Sequence, residues 1–296
     1  MNGRKPGTKG HKIAIKYIIS QFKKRRLLTV TNCNNKECTN KSYEHSFDNN
    51  FAQFTNIMGM IPGTGHLSTV DTDTVDTDTI GTIVITAHYD HLGTDTNTNE
   101  IFYGADDNAS GVVTLFMMMK WFSQKNHKPR HNLLFICFDG EESYEYPDGT
   151  NTGLLGSSHF VEQYLAGKFN SDKQQINIVL NFNIDMICNN DQTHQGKPRI
   201  KGLMVNGING KIKYWKQIIG PIYDKLTYNK QKETEWYESQ DAYSFAKHNI
   251  PWLYFGVDDF DNYHTIKDRF DSIDPNVFWN NIKILVNVMI SIDKQF

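Results

Sequence analysis

Between Ala87 and Gly111 two short runs gather groups that can do chemistry: Ala87-His88-Tyr89-Asp90-His91 and Gly104-Ala105-Asp106-Asp107-Asn108-Ala109-Ser110-Gly111. Imidazole and carboxylate are the donors a divalent zinc-type ion takes. Asp90, two residues after His88, can hold that ring from behind. Further along, Glu141 and Glu142 are adjacent, so one carboxylate can ligate an ion while the other stays free to move a proton. Asp185 ends an apolar run, where an acid needs a partner. His264 stands in Asn262-Tyr263-His264-Thr265.

Each group also has a plain structural reading. A histidine after a strand often serves as a hydrogen-bonding group. Asp107 can favour a helix dipole, and Asp106 and Asn108 compete with it for that place. Glu141-Glu142 alone reads as an exposed turn, and His264 as a surface loop residue. Taken together, His88, Asp107, Glu142, Asp185 and His264 point the other way. A buried cluster of this many carboxylates repels itself unless cations sit among them.

The elements that must position these groups alternate. Residues 82–87, 131–138, 176–184, 200–205 and 251–256 are apolar or β-branched and read as strands. Helices are expected over 11–24, 112–122, 153–165, 211–226 and 241–248, and after Asp274-Pro275, where proline suits an early helical position. Residues 27–30 look like a short strand, 47–61 like a segment carrying another, and 32–41 like a polar loop. Residues 71–79 repeat Asp-Thr pairs and read as a solvated loop. The sum is one catalytic domain over residues 1–296, a three-layer α/β/α sandwich on a mostly parallel, mixed sheet. His88, Asp107, Glu142 and Asp185 then sit on the rim after the strands, where open α/β sheets place ligands.

Composition narrows the classes. The 296 residues are 39% hydrophobic and 22% charged, enough for a large core, and the net charge of -2 argues against nucleic acid or an anionic membrane as partner. No apolar run approaches the roughly 20 residues of a bilayer span. Four cysteines are too few for a disulfide scaffold. Cys33 and Cys38 can pair or stay free thiols, whereas Cys137 and Cys188 lie in apolar runs and read as inert core residues. No signal peptide is present in these residues.

The quoted runs, with Asp139-Gly140-Glu141-Glu142, Gly153-Leu154-Leu155-Gly156-Ser157, Asn183-Ile184-Asp185-Met186 and Tyr263-His264-Thr265, resemble the zinc aminopeptidase family that also holds glutaminyl cyclases and glutamate carboxypeptidases. Order and spacing match over nearly the whole chain. Gly3-Arg4 and Pro6-Gly7-Thr8 resemble the start of exported bacterial members, which implies an exported protein, a cytoplasmic one being the alternative. The resemblance implies two zinc ions and peptide substrates with a free N-terminus. Asp107 would bridge the ions, His88 and Asp185 would complete one, and Glu142 and His264 the other. Asp90 would orient His88, Glu141 would be the general base, and Tyr237 would contact the oxyanion.

Two departures bear on the pocket. The ten residues 143–152 separate Glu142 from the Gly-Leu-Leu-Gly-Ser run, where many relatives have one or two; Tyr144, Glu145, Tyr146 and Asp148 there are candidates to touch a substrate's amino end or to form a solvated loop. A common Ser-Asp-His triplet is here Gln240-Asp241-Ala242. An aminopeptidase is the leading reading. A glutaminyl cyclase would carry a single zinc and an altered Gly-Ala-Asp-Asp-Asn run, a non-catalytic relative would have lost ligands, and a carboxypeptidase would need an arginine near these motifs.

Overall fold

Thr82–His88 is buried at every position, as a strand covered on both faces requires. The structure is a computed structural model, and it describes residues 3–295 except 35–36, 41, 50–51, 66–79, 96, 146–148, 150, 172–173, 189–198, 205–226, 229–236 and 258–260. The main sheet is built from β1 (Glu44–Asp48), β2 (Gln53–Ile61), β3 (Thr82–His88), β4 (Asn132–Phe138), β5 (Ile178–Ile184), β6 (Arg199–Met204), β7 (Thr227–Tyr228) and β8 (Trp252–Gly256). Its order is β7-β6-β8-β5-β3-β4-β2-β1. The central four, β8-β5-β3-β4, are parallel. β2 runs antiparallel to β4, β1 to β2 and β6 to β8, so the sheet is mixed as expected.

The helices are α1 (Lys9–Lys24), α2 (Gly111–Phe122), α3 (Leu155–Leu165), α4 (Asp241–Ala246) and α5 (Pro275–Gln295). Successive strand side chains point to opposite faces, and the core divides accordingly. Ile83, Ile85 and Ala87, with Leu133, Phe135, Leu180 and Phe182, pack against α1, α2 and α5. Val84, Leu134, Ile136 and Phe138 pack against Phe160 of α3 and Phe245 of α4. The result is the three-layer α/β/α arrangement. Fully burying a Leu, Ile or Phe side chain contributes roughly 1.5–3 kcal/mol, which is why the positions facing either helical layer tolerate no charge. α1 begins where Thr8 Oγ1 accepts from the His11 N–H at 3.2 Å, and it buries Ala14, Ile18 and Phe22 on one stripe.

Several sequence expectations need adjusting. Residues 47–61 hold part of β1 and all of β2, not one strand. Residues 27–30 make only a single bridge, Leu28 to Met60. The expected loop at 32–41 instead carries two short strands, Thr31–Asn34 and Glu37–Asn40, in a small sheet with Phe169–Ser171 and Gln174–Gln175. Main-chain pairing makes that sheet, and polar side chains give it no periodic signature. The Asp-Thr run at 71–79 and the helix expected at 211–226 lie outside the described residues, as do the side chains of Cys33 and Cys38. Cys137 is a buried free thiol, and Cys188 is buried in the core as well. Among the described residues no helix is long and apolar enough to cross a membrane.

His45 of β1 is buried among aromatic rings, 5.0 Å from the His159 ring and 5.1 Å from that of Phe169. Burial, reinforced by His159, pushes it down to about 4. The unfolded chain therefore gains this proton first as pH falls below the ordinary histidine value of 6.5. Stability from His45 is complete above 6.5 and is lost towards pH 4, by about 3 kcal/mol. Urea midpoints across this range should fall less steeply in His45→Phe than in the parent; parallel curves would contradict the assignment.

Candidate metal centre

Because β3, β4 and β5 are parallel and in register, with His88 opposite Phe138 and Asn183 opposite Thr86, their carboxyl ends share one edge. The segments after them bring His88, Glu141-Glu142 and Asp185 to that edge. Asn108 fastens the loop between β3 and α2 to the same place. Its Nδ2 donates to Ile184 O at 2.9 Å, and its Oδ1 accepts from Gly111 N at 2.9 Å and Met186 N at 3.2 Å. Asp106 Oδ1 accepts from Cys188 N at 2.9 Å. Asp268 accepts the N–H groups of Asp106 and Asp107 at 2.7 and 2.9 Å. Asp106 and Asn108 are thus frame members, and the Asp107 side chain is left to face the centre. Gly104 has φ +60°, and a Cβ there would lie 2.2 Å from Asp107 O and 2.6 Å from the His91 ring, so the turn requires glycine.

Asp107 presents one oxygen to each side. His88 Nε2 lies 3.3 Å from Asp107 Oδ1 and 3.4 Å from Asp185 Oδ1. His264 Nε2 lies 3.2 Å from Asp107 Oδ2 and 3.0 Å from Glu142 Oε2. The structure therefore brings together all five residues marked from the sequence as metal donors. His88 Nε2, Asp107 Oδ2 and Asp185 Oδ1 are buried and have no hydrogen-bond partner among the described residues. Nitrogen and oxygen donors that converge without hydrogen bonds fit a zinc-type cation.

The charges agree with that fit. Burial would lower His88, but Glu141, Asp185 and Asp107 outweigh it and hold the imidazole well above its ordinary value. Burial likewise opposes His264, yet Asp107 and Glu142 raise it to about 10. Burial would raise Asp107, and the facing imidazoles of His264 and His88 bring it well below the carboxylate range. In this arrangement the facing carboxylates favour protonated histidines, and a bound metal would take the place of those protons.

Glu141 stands beside the first donor set. Its Oε2 is 3.8 Å from His88 Nε2, and one donor atom each of His88, Glu141 and Asp185 lies within 4.8 Å of the others. Burial pushes Glu141 well above its usual range, with Glu142 and Asp185 adding to the effect against His88. Asp90 is fully buried behind His88, its Oδ1 3.5 Å from His88 Nδ1. Asp90 also accepts the N–H groups of Glu141 and Glu142 at 3.3 and 3.2 Å, so a single carboxylate sets both the ring and the acidic pair. Tyr237 opens a 3-10 turn, Tyr237–Ser239, just before α4; its side chain lies outside the described residues.

Three residues escaped the sequence reading. Tyr144, expected as a substrate contact or part of a solvated loop, is buried and donates its hydroxyl proton to Asp90 Oδ2 at 2.7 Å. Lying second in a polar insertion disguised it. Glu145 of that insertion is exposed, while Tyr146 and Asp148 lie outside the described residues. His91 Nδ1 meets Glu142 Oε1 at 2.7 Å, which orients the carboxylate towards His264; its place three residues after His88 was the available signal. Asp241, noted from the sequence only as part of a departure from a common triplet, is buried at the start of α4, and burial pushes it up to about 7.

Comparison with known proteins gives this geometry its context. The fold matches the glutaminyl cyclase of Fimbriiglobus ruber with a TM-score of 0.70 at 17% identity, over 99% of this chain and 90% of that one. It matches the Legionella pneumophila LapA aminopeptidase with a TM-score of 0.68 at 16% identity, over 100% of this chain and 69% of that one. A vacuolar membrane protease of Ajellomyces dermatitidis is 39% identical over 89 residues, a stretch spanning 30% of this chain and 7% of that protein. Residues 68–289, well over half of the 296, match Peptidase family M28 and carry all five converging donors, and the chain belongs to that family.

Proposed function

We propose that this chain is a zinc aminopeptidase whose centre holds two ions. His88, Asp107 and Asp185 would hold one ion, and Asp107, Glu142 and His264 the other. The observation that carries the reading is the Asp107 carboxylate, with one oxygen facing His88 and Asp185 and the other facing His264 and Glu142. Zinc bound there supplies a Lewis acid and brings the pKa of a coordinated water to about 7. Glu141, in neither donor set, takes a proton from the attacking water and returns it to the leaving amine. Asp90 keeps His88 and the two glutamates in place, and His91 holds the free oxygen of Glu142. Tyr237 is the candidate hydroxyl for the oxyanion. One catalytic domain accounts for the chain best, since α1, α2 and α5, from both ends of it, share one core.

The substrates would be peptides with a free N-terminus. The competing reading is a glutaminyl cyclase, which the likeness to the Fimbriiglobus ruber enzyme keeps in view. Against it stand the two complete donor sets around Asp107. A panel of aminoacyl p-nitroanilides beside N-acetylated counterparts separates the readings. Release of nitroaniline from free but not acetylated substrates is expected. Cleavage of acetylated ones would defeat the aminopeptidase reading, and pyroglutamate formed from glutaminyl peptides would favour the cyclase.

A further inference from the structure

We propose that Arg4 is a positioning residue for the metal centre, holding together from the start of the chain the run after β3 that carries His88 and the run that carries Asp107. This inference rests on the two-zinc reading above. Arg4 Nε donates to Tyr89 O at 2.7 Å, Nη1 donates to Tyr103 O, and Nη2 donates to Gly104 O at 2.9 Å and to Asp107 O at 3.2 Å. The first carbonyl belongs to the run that carries His88, Asp90 and His91. The other three belong to the run that leads into Asp107. One rigid, planar group thus spans both loops and sets their separation.

All four partners are main-chain carbonyls, which is a task for a fork of donors rather than for a charge alone. Guanidinium offers five N–H donors in fixed directions, whereas the lysine ammonium is a point charge on a flexible stem. The site is built to admit this group. A Cβ on Gly104 would come within 2.7 Å of Arg4 Nη2.

The segment that carries Arg4 is fixed on both sides. A Cβ on Gly3 would come within 2.6 Å of the Gly93 backbone, so the entry segment lies directly against the loop after His91. On the other side, His11 Nε2 meets both oxygens of Asp139 at 3.0 and 2.9 Å, two residues before Glu141. The His11 and Tyr89 rings also stack at 5.3 Å. Residues 3–11 therefore brace the loops after β3 and β4 from outside the sheet. Arg4 touches neither a proposed donor atom nor Glu141, so its effect on metal passes through the loops it holds.

Arg4→Ala and Arg4→Lys test this in the full chain. Zinc affinity would be read by competition with a chromophoric chelator, and turnover and thermal melting alongside. Removing groups that support metal ligands costs about 10–100-fold in affinity, and a loss of that size is expected for at least one ion in Arg4→Ala. Arg4→Lys should retain only part of the affinity, and added methylguanidinium should restore zinc binding to Arg4→Ala. Folded Arg4→Ala with parental zinc affinity and kcat would overturn the proposal, even if its melting temperature were lower. Should Arg4→Ala fail to fold, Arg4→Lys decides, and parental affinity there would overturn the proposal too. Failure of the two-zinc reading is distinguishable, because the unsubstituted protein itself would then bind fewer than two ions.

Discussion

Glu141→Gln should keep the two zinc ions of the proposed centre and lose turnover by about 10²–10⁴-fold, the range that general acid–base catalysis contributes. The amide has nearly the shape of the acid, so the backbone bonds from Glu141 and Glu142 to Asp90 survive the change. The side chain belongs to neither donor set, and its nearest approach to a donor nitrogen is 3.8 Å, at His88. What the substitution would take away is the lone pair proposed to accept the proton of the attacking water. Metal analysis and kcat measured on the same preparation separate the two effects. Undiminished turnover would remove Glu141 as the base; lost zinc would make it a ligand instead.

Asp107→Ala acts on metal first. Its two oxygens face the two proposed donor sets, so one truncation would remove a donor from each. It also leaves the imidazoles of His88 and His264 without the carboxylate that faces both. Zinc content should fall from two ions per chain to one or none, and turnover should fall at least as far as in Glu141→Gln. Asp106 offers no substitute, since its Oδ1 is held by Cys188 N and Ser110 Oγ. A variant that still bound two ions tightly would show that Asp107 does not bridge, and the two-zinc centre would have to be redrawn around other donors.

The sequence by itself determined the strands that end at the site and the groups directly behind them, His88, Glu141-Glu142 and Asp185; Asp107 and His264 stood out only through the family resemblance. Those features are local: apolar runs of strand length, each followed by an acid or an imidazole, survive in any one-dimensional reading. Its limits appear at residues with more than one plausible task. Asp106, Asp107 and Asn108 are chemically similar neighbours, and only their partners, Cys188 N, the facing imidazoles and Ile184 O, tell frame from function. Tyr144 read as solvated because its neighbours are polar, yet Asp90 lies beneath it.

The tertiary structure alone decided that Asp107 turns one oxygen to each side and that His91 steers Glu142. It also brought Arg4, whose run in the sequence pointed only to export, against the loops of the centre. The physical reason is the same in each case. Direction and separation between groups 51 positions apart (His91 and Glu142), 103 apart (Arg4 and Asp107) or 157 apart (Asp107 and His264) depend on how parallel strands share an edge, and sequence spacing carries no record of that.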